Sequence, residues 1–180
     1  MSKKILVIST SPRKGGNSDR LADAFLQGAQ DGGNQVEKIW LGNKTIGFCK
    51  GCLTCQDTQR CIIQDDAVEI AKKMQAADAI VFATPIYYYG MCGQMKTMLD
   101  RANPLYPSDY QFRDIYLLAA AAEEEESTVE GAIHGLQGWI DCFEKAHLAE
   151  TVFAGGVGAV GEIEGHPALK KAYEMGKNVK

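Results

Sequence analysis

The feature that most constrains the fold of this chain is the regular alternation of apolar segments with amphipathic ones. Five segments rich in apolar and β-branched residues predict strands, at residues 3–9, 35–41, 78–84, 114–121 and 151–155. Helical spacing of apolar residues predicts helices that follow them, at about 19–30, 65–74, 92–101, 128–146 and 167–177. Such alternation is typical of an α/β fold, in which crossover helices cover both faces of a parallel sheet.

Composition limits the size of the fold and the class of partner. The 180 residues are 46% hydrophobic and 23% charged, which are ordinary globular values and predict a single domain over residues 1–180. The net charge of −4 argues against a nucleic-acid partner, because phosphates require a basic surface. No apolar stretch approaches the roughly 20 residues that span a bilayer, and the first residues lack a signal-peptide pattern. We therefore expect a cytoplasmic protein with no membrane partner.

The loop after the first predicted strand, residues 9–18, combines hydroxyl groups, glycines and a following helix N-terminus. A phosphate at such a point meets free backbone N–H groups and the positive end of the helix dipole. The candidate ligands of that phosphate are Ser9, Ser11, Arg13, Asn17 and Ser18. The loop matches neither the Walker A spacing nor the G-x-G-x-x-G turn. The alternative is an ordinary polar turn that caps a helix, and the loop alone does not decide between them.

A second loop carries three consecutive tyrosines after the third predicted strand. Tyrosine offers a ring face for stacking and a hydroxyl for an edge contact, so this loop predicts a flat ligand or a partner subunit. The alternative is that one or two of these rings pack in the core. The residues concerned are Pro85, Ile86, Tyr87, Tyr88, Tyr89 and Gly90.

Four of the six cysteines fall within thirteen positions, in a long predicted loop over about residues 42–64. They are Cys49, Cys52, Cys55 and Cys61, with spacings x2, x2 and x5. Structural zinc more often uses two separated pairs, whereas bacterial ferredoxins hold a [4Fe–4S] cluster with consecutive x2 gaps. A cluster, zinc and no metal all remain open. We expect the isolated Cys92 and Cys142 to be small buried residues.

The two loops together resemble a known family. The stretch 9–18, followed by 84–90 and then by Gln94-Met95-Lys96 and Asp100-Arg101, is similar to the flavodoxin-like NAD(P)H-dependent FMN reductases. The cysteine run resembles the iron–sulfur flavoprotein branch of that family. The resemblance implies a doubly wound sheet of five parallel strands in the order 2-1-3-4-5, with FMN at its carboxyl edge.

The resemblance also assigns roles to individual residues. The first loop would bind the FMN phosphate, the tyrosine loop would line the isoalloxazine ring, and Ala121 and Ala122 would lie beneath the ring. Because hydride transfer to the ring needs no acid or base from the protein, no catalytic side chain is predicted. Gln94, Lys96 and Arg101 are interpreted as structural or interfacial.

The function implied by the resemblance is an FMN-dependent oxidoreductase that passes electrons between FMN and a [4Fe–4S] cluster. It would use a ferredoxin-like donor and a small-molecule acceptor such as oxygen or peroxide, in a homo-oligomer of two or four subunits. One alternative is an NAD(P)H-dependent FMN or quinone reductase without a cluster. The others are a non-enzymatic electron carrier and a metal-binding interaction module built on the cysteine loop.

Overall fold

A computed structural model describes residues 2–180 of the chain, and five parallel strands form the centre of the fold. Their order across the sheet is β2-β1-β3-β5-β6. The bounds are β1 (Lys4–Ser9), β2 (Gln35–Trp40), β3 (Ala79–Tyr87), β5 (Asp114–Ala120) and β6 (His147–Ala154). All four neighbouring pairs are parallel, as the alternating sequence pattern predicts. The predicted order 2-1-3-4-5 is the observed one when only these parallel strands are numbered.

A sixth strand was not predicted. The short β4 (Gly90–Met91) pairs antiparallel with the end of β3 and closes a hairpin. The two residues at its tip, Tyr88 and Tyr89, have φ angles of 49° and 62°. Hairpin turns of this kind usually carry Asn or Gly, and a bulky residue with positive φ is uncommon. The sequence therefore lacks the usual turn signal at this position.

Residues 2–180 contain six helices: α1 (Asn17–Asp31), α2 (Thr54–Thr58), which lies in the cysteine loop, α3 (Asp66–Ala76), α4 (Gly93–Arg101), α5 (Glu130–Ile140) and α6 (Pro167–Lys177). Helices α1 and α6 pack on one face of the sheet, and α3, α4 and α5 pack on the other. At the α1–α6 contact, a Cβ added to Gly28 would lie 1.9 Å from the carbonyl oxygen of Tyr173, so only glycine permits this approach. Within residues 2–180, no helix combines the length and the hydropathy needed to cross a membrane.

The predicted helix over residues 128–146 is too long. Helix α5 ends at Ile140, a turn follows, and β6 begins at His147 rather than at residue 151. Phe143 explains the early end, because its ring packs edge-on against Tyr110 and Phe112 with centroid separations of 5.1 and 5.2 Å. Such tertiary contacts outweigh the helical pattern of the sequence.

Candidate functional site

Three loops that follow neighbouring strands meet at the carboxyl edge of the sheet. They follow β1, β3 and β5, which lie side by side. Thr10 joins the first two, since its backbone N–H and its hydroxyl both donate to the carbonyl oxygen of Ala83, at 2.8 and 2.9 Å. Ligands of doubly wound sheets bind at this edge. The structure therefore brings the predicted phosphate and ring residues to one place.

The loop after β1 is organised around a buried carboxylate that the sequence analysis missed. Asp19 accepts hydrogen bonds from the Ser9 hydroxyl at 2.6 Å and from the Gly15 N–H at 3.0 Å, and it pairs with Lys38 at 2.6 Å. Burial alone would raise the pKa of Asp19, but the donors Lys38, Ser9 and Gly15 outweigh it and lower that pKa. The Ser9 proton is thus engaged by Asp19. The only feature of the sequence that could have indicated this role is the position of Asp19 in the first turn of a predicted helix.

Ser18 and the start of α1 form the clearest candidate site for an anion. No side chain caps this helix, and the buried Ser18 hydroxyl has no hydrogen-bond partner. Buried polar groups are normally paired, so an orphaned donor at a helix N-terminus indicates a ligand. The Ser11 hydroxyl lies in the same loop, where it donates to the Arg13 carbonyl at 2.9 Å. These groups fit the terminal phosphate of FMN.

Arg13 and Asn17 connect the loop after β1 with the loop after β6. The Arg13 guanidinium donates to the Gly158 carbonyl at 3.0 Å, and the Asn17 amide donates to the Ala159 carbonyl at 2.9 Å. The Glu162 carboxylate accepts hydrogen bonds from the backbone N–H groups of Gly158 and Ala159, at 2.7 and 2.8 Å. These two bonds lower the pKa of Glu162. The loop after β6 therefore closes over the phosphate loop, an arrangement that the sequence analysis did not identify.

The tyrosine loop forms the β3–β4 hairpin. Pro85 is buried, Ile86 is half-buried, and the three tyrosines are exposed, with Tyr88 fully so. The exposure of all three tyrosine side chains excludes core packing for them. The hairpin backbone rests on α5, where a Cβ added to Gly131 would lie 2.2 Å from the Tyr89 carbonyl oxygen.

Small residues line the loop after β5. Ala121 is buried and Ala122 is exposed. The Ala121 N–H donates to Ala154 at 3.0 Å, and the Ala121 carbonyl accepts from Val157 at 2.8 Å. A Cβ added to Gly155 would lie 2.8 Å from the Glu123 carbonyl, so the two loops approach closely. Alanine and glycine here leave room for a flat ring against the backbone.

The expectation of small buried cysteines is confirmed for Cys92. Its sulfur lies 3.2 Å from the Thr10 hydroxyl, and its N–H donates to the Thr84 hydroxyl at 3.1 Å. The same expectation is wrong for Cys142, which is exposed. Because α5 ends at Ile140, Cys142 lies on the following turn rather than on a buried helix face.

All four cysteines of the run line one cavity, which we call the cysteine cavity. Its volume is about 420 Å³, and its other walls are mostly apolar, among them Leu53, Leu99, Trp139 and Phe143. Cys142 also lines it, as a fifth thiol. The buried Cys55 sulfur accepts from the Asn103 amide at 3.0 Å. Backbone and hydroxyl hydrogen bonds from Thr54 lower the pKa of the exposed Cys52 thiol.

The donor chemistry of the cysteine cavity fits an iron–sulfur cluster, since thiolates are the protein ligands of such clusters and most of its other walls are apolar. The thiols are nevertheless not gathered on one point. Across residues 2–180, no three His, Cys, Asp or Glu side chains lie close enough together to hold a metal ion. Binding would therefore require the loop to draw its thiols inward.

Comparison with known proteins identifies the family. A family model described as NADPH-dependent FMN reductase matches residues 3–155. An iron–sulfur flavoprotein of Archaeoglobus fulgidus is 31% identical, over 98% of this chain and 78% of its own length. That of Methanosarcina thermophila is 30% identical, over 96% of this chain and 87% of its own length.

A solved structure confirms the fold class. The NAD(P)H:quinone oxidoreductase from Methanothermobacter marburgensis superposes with a TM-score of 0.74, covering 100% of both chains at 17% identity. Together with the matches in sequence, the uncapped helix start beside Ser18 and the cysteine cavity agree with one assignment. The chain belongs to the NADPH-dependent FMN reductase family, on its iron–sulfur flavoprotein branch, and is an FMN-dependent oxidoreductase.

Proposed function

We propose that this protein transfers electrons between FMN at the carboxyl edge of the sheet and a [4Fe–4S] cluster in the cysteine cavity. The observation that carries the proposal is that Cys49, Cys52, Cys55 and Cys61 all line one apolar cavity. FMN exchanges two electrons with NAD(P)H or one at a time with a one-electron carrier, and a cluster exchanges one at a time. The role of the chain is to bind and orient both groups.

At the FMN site, the phosphate would lie at the N-terminus of α1. The Ser18 hydroxyl would donate to it, the Ser11 hydroxyl would turn from Arg13 toward it, and the guanidinium of Arg13 would supply positive charge. Ser9 would not contact the phosphate but would help to hold the loop in shape through its hydrogen bond to Asp19. Asn17 would hold the loop after β6 in place. The lowered pKa of Asp19 keeps its carboxylate ionised, so that Lys38 is paired and the loop stays ordered without the ligand.

The isoalloxazine ring would lie against the hairpin and the small residues after β5. Backbone groups over 85–90 would face its polar edge, and the exposed tyrosines would screen its surface from water. Ala121 and Ala122 would form the floor, because a larger side chain there would fill the space the ring needs. No side chain in this description acts as an acid or a base.

A homo-oligomer would cover the apolar surface that one chain leaves exposed. Tyr88 and Tyr89 project from the hairpin, while Phe48, Leu53 and Ile62 project from the cysteine loop and Tyr106 beside it. Two-fold packing is the common way to bury such surface. A dimer or a dimer of dimers, with a ferredoxin-like donor and a small-molecule acceptor, completes the proposal. Sedimentation mass tests the assembly, and a mass near 19.6 kDa would contradict it.

A second candidate function is an NAD(P)H-dependent FMN or quinone reductase that holds no cluster. The observation in its favour is that, over residues 2–180, the cysteine thiols form no ready metal-binding group. In that case the four thiols only pack or form disulfides.

Purification under strictly anaerobic conditions separates the two candidates. We expect FMN, together with about four iron and four sulfide per chain and the broad visible absorption of a [4Fe–4S] cluster. FMN with neither iron nor sulfide, even after reconstitution with ferrous iron and sulfide, selects the second candidate. FAD in place of FMN, or no flavin at all, contradicts both.

A further inference from the structure

The most deeply buried charge in the molecule lies beside the cysteine loop and has no role in the functions described so far. The Arg101 side chain, at the end of α4, has 0% of its surface exposed. Burying a charge is costly unless it is paired, so a guanidinium in this position requires an explanation.

The guanidinium joins the two ends of the cysteine loop. On one side it donates to the carbonyl oxygen of Gly47 at 2.7 Å, two residues before Cys49. On the other it donates to the carbonyl oxygen of Ile63 at 3.0 Å, two residues after Cys61. One side chain thus binds the backbone on both sides of the four-cysteine run, where the loop begins and where it ends.

Asp65 completes this arrangement. Its carboxylate makes two parallel bonds with Arg101, at 2.6 and 2.9 Å, and also accepts from the Gly47 N–H at 2.8 Å. It caps α3 through the Ala67 N–H at 3.1 Å. A two-point pair of this kind fixes geometry more firmly than a single contact, and lysine cannot reproduce it.

Part of the guanidinium remains available. Its Nε–H is buried and has no hydrogen-bond partner. Arg101 and Cys61 line one small cavity of about 40 Å³, and Cys61 also lines the cysteine cavity. Arg101 and a thiol of the run therefore border the same small cavity, and the guanidinium keeps one unpaired N–H.

We infer that Arg101 is a positioning residue for the cysteine site, which holds the loop closed and places a fixed positive charge beside Cys61. The inference rests on the proposed cluster. A one-electron reduction adds one negative charge to the site, and a buried cation nearby stabilises that charge because the local dielectric is low. Arg101 therefore makes the cluster easier to reduce, and Asp65 partly cancels its effect.

The test is a redox titration of anaerobically reconstituted protein, with dithionite as reductant and the cluster and FMN potentials read separately. Arg101→Gln should lower the cluster potential, Asp65→Asn should raise it, and Arg101→Lys should lie nearer to wild type than Arg101→Gln does. Lys171→Gln removes an exposed charge from α6, on the opposite face of the sheet, and should leave the cluster potential unchanged. The FMN potential should stay constant in all four variants.

Shifts of the same sign in Arg101→Gln and Asp65→Asn, or no shift beyond that of Lys171→Gln, would overturn the inference. If Arg101→Gln fails to fold, Asp65→Asn decides, since it must still raise the cluster potential above that of wild type. Wild-type protein that holds FMN but no iron would instead overturn the proposed function, and this inference with it.

Discussion

The phosphate loop after β1 and the cysteine loop after β2 lie at the same edge of the sheet but are stabilised in opposite ways. The phosphate loop is fixed from within, because Asp19 at its centre accepts from Ser9 and Gly15 and pairs with Lys38. The cysteine loop is fixed chiefly at its ends, where Arg101 and Asp65 hold residues 47 and 63, and between them it is joined to the fold by the bonds Asn103–Cys55 and Gln59–Pro107. Between these ends the thiols of Cys49 and Cys52 are exposed.

The difference shows which site is complete before its ligand binds. The phosphate loop has one buried donor left unpaired, as a preorganised site does. The four thiols of the cysteine loop line one cavity, but within residues 2–180 they do not lie close enough together to bind a metal ion as they stand. FMN should therefore bind to a preorganised site. Binding of a cluster, in contrast, should order the cysteine loop, and the entropy cost of that ordering should reduce the free energy of cluster binding.

The largest effect should follow from removing one thiol of the run. Cys52→Ala should abolish iron and sulfide binding and leave FMN bound, because the two sites share no residue. Electron transfer from a one-electron donor should fail in this variant, while chemical reduction of FMN persists. Iron, sulfide and flavin assays after anaerobic reconstitution measure these outcomes.

Cys142→Ala is the matched control for that experiment, since Cys142 lines the same cavity from outside the run. It should retain full iron. Loss of iron in Cys142→Ala, or its retention in Cys52→Ala, would show that the four loop cysteines are not the ligand set.

A smaller effect is expected in the phosphate loop. Ser18→Ala removes a donor aimed at a charged oxygen, a bond worth about 1.5–3 kcal/mol, so FMN affinity should fall about tenfold or more. The fold should survive, because Ser18 makes no bond within the protein. Fluorescence titration of FMN measures the change, with the exposed Ser127→Ala as control. Equal affinity in the two variants would mean that the phosphate binds elsewhere.

The hairpin should respond to a single methyl group. In Gly131→Ala the new Cβ overlaps the Tyr89 carbonyl, so the free energy of unfolding should fall by about 1–3 kcal/mol. Gly138 lies on the same helix with nothing within 4 Å of its added Cβ, and Gly138→Ala should be neutral or stabilising by up to about 1 kcal/mol. Urea unfolding of both variants gives the comparison. The close contact would be refuted if the two behaved alike.

The smallest effect is a loss of stability in acid. The pKa values of Asp19 and Asp65 are both lowered in the folded protein by their paired cations and N–H donors, against the opposing effect of burial. Their contribution is therefore complete above the unfolded value near 4 and is lost as the pH falls through the lower folded values. Urea unfolding between pH 6 and about pH 2.5 should show this decline, with a shallower slope in Asp65→Asn. A slope unchanged in that variant would argue against the Asp65 contribution.

The fold could be predicted because it depends on local patterns, and the candidate FMN site was proposed from local patterns as well. Apolar strands alternating with amphipathic helices define a parallel sheet, and a hydroxyl-rich turn before a helix marks an anion site. Ser18 was selected in this way as a candidate ligand, and the tyrosine loop was selected by its aromatic residues, although its hairpin was not predicted.

The rest depends on contacts between residues distant in sequence. Asp19 forms an ion pair with Lys38, and Arg101 donates to the carbonyl groups of residues 47 and 63. Arg13 donates to a carbonyl group of the loop after β6, which lies 145 positions further along the chain. Cys142 reaches the cysteine cavity only because the ring of Phe143 ends α5 early. No periodicity or spacing in the sequence records such pairings.

Helix α5 touches both sites, and its length therefore has a consequence for how the protein can change. Gly131 in its first turn supports the tyrosine hairpin, and Trp139 in its last turn forms a wall of the cysteine cavity. These 11 residues act as a rigid spacer of about 16 Å. One inserted residue would rotate the two ends by about 100° relative to each other, so that only one site could keep its contact. An insertion within α5 should thus disrupt one of the two sites.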